Sequence, residues 1–87
     1  MCTYLTLTTD VAGSARDGDD WFAARRAVVY YDHPQDAAVE HALCIDVVGA
    51  RPDQRAAVEL DAASARRLAE TILAVLDDAE TRELVQA

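Results

Sequence analysis

No apolar run in this 87-residue chain approaches the roughly 18 residues that a membrane-crossing helix needs, so no membrane partner is expected. The opening "MCTYLTLTTD" lacks the basic and apolar segments of a signal peptide, and the chain is expected to be cytoplasmic. Cysteine is scarce: Cys2 and Cys44 are too few for a disulfide framework, and a reducing compartment keeps them as thiols. Glycine is scarcer than a phosphate-cradling loop requires, because Gly13, Gly18 and Gly49 each fall in a separate turn segment. Basic residues are outnumbered eight to sixteen, and the acids are spread along the whole length. A net charge of −8 repels phosphate backbones, which excludes nucleic acid as the default partner.

What is present reads as one small globular domain over residues 1–87, with no internal repeat, linker or low-complexity tract. A chain of this size buries only about 60–65% of its unfolded surface, so a homodimer is a natural supplement to its core. Residues 2–12 alternate, with Leu5, Leu7 and Val11 on one side and Tyr4, Thr6 and Thr8 on the other, the period of a strand. The polar, glycine-bearing "GSARDGDD" over 13–20 reads as a turn. Residues 21–32 form a second strand that ends before Pro34, 41–48 a third and 55–61 a fourth. From Asp61 the period changes. Ala65, Leu68, Ile72, Val75 and Leu76 recur at three- and four-residue steps, an amphipathic helix over 61–78 with Asp61 as its N-cap.

Short connections favour an α+β fold: a four-stranded antiparallel β-meander with one C-terminal amphipathic helix packed on one face. Face parity predicts the register. Opposing Leu43 with Leu60, Ile45 with Val58 and Val47 with Ala56 keeps every pair on the helix side. Pairing Tyr31 with Leu43 and Val29 with Ile45 does the same for the second and third strands.

One step further along that register, His33 faces His41 across the mouth of the loop. Opposed residues in an antiparallel pair have Cβ atoms about 4.5–5.5 Å apart, near enough for two imidazoles to share a transition metal such as zinc. Asp32 and Glu40 flank them as further ligands or orienting acceptors, and Cys2 starts its strand at the same end. Parity sets Cys2 on the opposite face, and the spacing matches no established zinc pattern. The plainer reading, two histidines flanking a loop, ranks first. An N-terminal nucleophile at Cys2 has no oxyanion hole to work with, so no catalytic residue is assigned.

Cys44 lies opposite Glu59 and beside Asp46, neighbours that raise a thiol pKa and suit a small buried hydrophobe better than a nucleophile. Tyr4, Val28 and Tyr30 share the sheet face away from the helix, an expected dimer surface or a small-molecule face. Arg25 and Arg26 near Trp21 read as surface cations. The helix face is already needed to cover the sheet, so neither a coiled coil nor a membrane-surface role is expected of it.

The segments "MCTY", "DGDDWF", "YYDHP", "EHALCID" and "AVELDAASARRLAETI" together resemble a family of small uncharacterised proteins, mostly actinobacterial, over nearly the whole chain. The resemblance implies no reaction. It does imply that Cys2, Asp32, His33, Glu40 and His41 belong to hallmark segments of that family. The sequence therefore predicts a dimeric, non-catalytic binding or assembly module, with a small metalloprotein or metalloenzyme built on His33 and His41 as the alternative.

Overall fold

The computed structural model describes residues 5–85. Four strands, β1 (Leu5–Asp17), β2 (Asp20–Asp32), β3 (Ala42–Val48) and β4 (Arg55–Leu60), precede one helix, α1 (Ala62–Thr81). The strands form a single sheet in the order β1-β2-β3-β4, every pair antiparallel, as expected of a meander. The predicted register holds at Leu43↔Leu60, Ile45↔Val58, Val47↔Ala56, Tyr31↔Leu43 and Val29↔Ile45. Among the described residues, no helix is long and apolar enough to cross a membrane.

The first hairpin departs from its sequence reading. The stretch expected as a turn over 13–20 is mostly strand, and β1 and β2 meet at a two-residue connection, Gly18 and Asp19. Gly18 takes a φ of +62°, the left-handed region that glycine enters without strain. Polar composition hid the strand because its stabilising contact is cationic and aromatic. Arg16 lies opposite Trp21, its guanidinium 5.9 Å from the ring centroid, and its Nε donates to the Gly18 carbonyl at 2.7 Å. It also pairs with Asp19 at 3.6 Å, countering the carboxylates of Asp17 and Asp20 that face each other at the tip.

Between Asp10 and Gly13 the β1–β2 register slips, so that Val11 and Ala12 stand against Arg25 alone. Such a bulge bends the strand and sharpens its twist. β1 accordingly comes near β4, and Phe22 rests on the β3–β4 turn. A Cβ at Gly49 would lie 2.9 Å from the Phe22 ring and 2.6 Å from Gln54 Oε1, so only glycine fits beneath that ring.

Asp61 caps α1 as predicted, its carboxylate accepting from Ser64 N–H at 2.7 Å. That bond holds its carboxyl below the usual range. α1 runs past the expected end at 78 to Thr81 and then closes. Leu84 N–H returns to the Ala79 carbonyl at 2.8 Å and Glu83 N–H to Glu80 at 3.0 Å, a Schellman closure with Glu83 at φ 58°.

The core differs from expectation in its side of the sheet. Among the described residues, those well buried are Phe22, Ala42 and Cys44. All three lie on the face away from α1, where the bent hairpin and the 33–41 loop cover them. The face carrying Leu43, Ile45 and Val47 is only half-buried, and no residue of α1 is buried. A single 20-residue helix lies over β3 and is too narrow to close a four-stranded sheet. A cleft of about 500 Å³ stays open between them, lined by Val29, Leu43, Ile45, Leu60, Leu68 and Ile72.

Candidate functional site

On the face away from α1, register aligns Tyr30, Cys44 and Glu59 in one row and Val28, Asp46 and Ala57 in the next. A recess of about 380 Å³ lies over them, lined by Tyr30, Cys44, Asp46, Arg55, Glu59 and the loop residue Asp36. Asp46 is its electrostatic centre. Arg55 Nη2 donates to Asp46 Oδ1 at 2.9 Å, and Tyr30 Oη donates to Asp46 Oδ2 at 3.2 Å. Burial pushes the Tyr30 phenol above its ordinary pKa, and the Asp46 charge adds to it. Hydrogen bonding to Asp46 raises the Arg55 guanidinium further still. The cluster is a fixed carboxylate held between a neutral phenol and a cation.

Glu59 closes the recess at the loop end. Its carboxylate accepts from the backbone N–H groups of Gln35 at 2.6 Å, Asp36 at 3.0 Å and Ala37 at 3.1 Å. Charge-assisted bonds of this kind are the stronger ones, and Pro34 fixes the chain where it enters the turn. The Gln35 N–H first, then Ala37 and Asp36, hold the Glu59 carboxyl below the usual range. The latch draws the loop over Ala42 and Cys44, which are 0% and 3% exposed. Burial, then the Glu59 charge, pushes the Cys44 thiol pKa up, matching the sequence reading of an unreactive buried hydrophobe.

Tyr30 and Val28 are half-buried rather than free, and the loop borders the recess beside Tyr30. Tyr4 and Cys2 lie outside the described residues. Sequence reasoning missed the Glu59 latch and the role of Arg55. The signal for Arg55 was its place one row from Asp46; the latch depends on backbone groups and left no mark in the sequence.

The two histidines do meet. Their ring centroids are 4.6 Å apart at 32°, and Tyr31 stacks on His41 with centroids 6.0 Å apart. His33 N–H donates to Asp32 Oδ1 at 2.7 Å, and its Nδ1 lies 3.0 Å from the Glu40 carbonyl oxygen. A carbonyl only accepts, so this contact places a proton on Nδ1. The Glu40 backbone carbonyl thus orients the His33 ring, and Asp32 fixes the His33 backbone N–H. Among the described residues, no group of three or more His, Cys, Asp and Glu side chains is arranged to hold a metal ion. Arg25 and Arg26 are exposed, as expected of surface cations, and it is Arg16 that sits over Trp21.

Comparison with known proteins gives a family and no reaction. A family model described as a family of unknown function (DUF6295) matches residues 1–85, and the chain belongs to that family. No curated protein matches it, and no solved structure does.

Proposed function

We propose that this chain is a dimeric, non-catalytic binding and assembly module. The observation that carries the reading is surface area. A folded chain of 9.4 kDa exposes about 5,000 Å² by the scaling of monomeric proteins, whereas this one exposes 6793 Å². Its radius of gyration, 14.5 Å, likewise exceeds the roughly 12 Å of a compact domain this long. The surplus, about 1,800 Å² per chain and so about 3,600 Å² for two, falls in the range that obligate homodimers bury. The recess at Tyr30, Asp46 and Arg55 offers such a dimer a place for a small polar ligand. The raised pKa of the buried Cys44 thiol makes that residue a poor nucleophile.

Self-association of this kind couples folding to concentration, because the associated state binds a partner that the unfolded state does not. The thermal midpoint is expected to rise by several degrees between micromolar and hundred-micromolar protein, followed by circular dichroism. A midpoint independent of concentration over that range contradicts the reading.

A second reading is favoured by the contact of the two imidazoles: a metalloprotein with His33 and His41 as ligands, His33 through Nε2, and Cys2, Glu40 or Asp32 completing the shell. Elemental analysis of untagged protein after incubation with zinc is then expected to give one metal per chain, lost in His33→Ala and in His41→Ala. Zinc retained by both variants, or bound by neither they nor the wild type, removes this reading.

A further inference from the structure

The self-association reading leaves open which surface the second copy covers, and this inference rests on that reading. α1 bears apolar side chains over a broad arc, and Leu73 is 60% exposed, Ile72 50% and Val75 63%. Beside the helix, the β1 edge of the same sheet face shows Leu7 at 66%. Single exposed apolar residues are ordinary, but several along one helix, with more on the same side of its sheet, mark an interaction surface. The helix begins one residue after β4, so Asp61 ties its first turns to its own sheet. From Arg66 onward the helix is exposed along its length and open to another molecule.

The charges on α1 run against its dipole. Arg66 and Arg67 occupy the N-terminal half, where the helix end is positive, and Asp77, Asp78 and Glu80 occupy the last turns, where it is negative. A partner helix laid antiparallel reverses that mismatch, because each acidic end then meets a basic one. The spacing is specific. Arg66 and Glu80 each stand seven residues from Leu73, on the same helical stripe. Within one helix they are about 21 Å apart and cannot pair.

We propose that a second copy of this chain covers the apolar face, the two α1 helices crossing antiparallel at Leu73, with Arg66 of each opposite Glu80 of the other. The exposed leucines of β1 extend the same buried patch, and the Tyr30 face stays open to solvent in the dimer.

Light scattering with size-exclusion chromatography on the full chain tests this. Wild type is expected at twice the chain mass. Leu73→Glu is expected at the single-chain mass with its helical signal retained. Arg66→Glu sets like charges against each other twice and is expected to raise the dissociation constant on the order of tenfold. The swap Arg66→Glu with Glu80→Arg is expected to recover it, which a change acting only within one helix does not do. A dimeric Leu73→Glu protein, or a charge swap no tighter than Arg66→Glu alone, overturns the proposal. A monomeric wild type removes the self-association reading itself. A dimer broken by Tyr30→Asp and not by Leu73→Glu keeps that reading and moves the interface to the other face.

Discussion

Glu59→Ala is expected to free the 33–41 loop and raise the alkylation rate of Cys44 on the order of tenfold or more, measured in a Cys2→Ser background. The thiol is 3% exposed, so reagent reaches it only when the covering loop opens. That loop is pinned by three N–H donors converging on one carboxylate, and alanine removes every acceptor at once. Loss of the Glu59 charge also eases the thiol's ionisation, so the rates are compared after correction to the fully ionised thiol. An unchanged corrected rate would mean that the loop is held by something other than Glu59.

The same latch has a defined pH dependence. The Glu59 carboxyl is depressed by the N–H groups it accepts from, so its contribution is fully present above the unfolded carboxylate value, about 4.3. It is lost as pH falls through the lower folded value. The amide resonances of Gln35, Asp36 and Ala37 are therefore expected to stay put at neutral pH and to move only in acid.

Phe22→Ala is the larger prediction for stability. Phe22 is the largest well-buried side chain, 7% exposed, and it joins the bent hairpin to the turn at Gly49 and Gln54. Truncating a buried phenylalanine costs about 3–5 kcal/mol, and domains of this length hold only about 4–13 kcal/mol in total. A fall of roughly 12–40 °C in thermal midpoint at fixed protein concentration is expected. Trp21, its neighbour, is 66% exposed and contributes mainly a cation–π contact with Arg16, so Trp21→Ala is expected to cost about 1 kcal/mol or less. Equal effects of the two changes would contradict the placement of Phe22 against the turn.

These residues also mark where sequence reasoning succeeded and stopped. The register of β2, β3 and β4 was legible because Tyr31, Leu43, Ile45, Val58 and Leu60 alternate in step, and a one-residue slip would send each to the wrong face. The same parity brought His33 to His41. The bulge at Val11 and Ala12 was not legible, since Val11 continues the alternation of Leu5 and Leu7 and nothing in that pattern marks an extra residue. Without the bulge, nothing pointed to Phe22 closing down on the far face. The apolar periodicity of α1 was read as core, and it is the pattern of a core. A single chain brings only part of that core together, because one helix cannot span the sheet.

Sedimentation equilibrium of the untagged 87-residue chain at tens of micromolar decides whether a second copy covers the open face. A mass twice the 9.4 kDa of one chain is expected, the open apolar face of each copy being covered by the other. A mass of 9.4 kDa throughout, with no dependence on concentration, would contradict that arrangement.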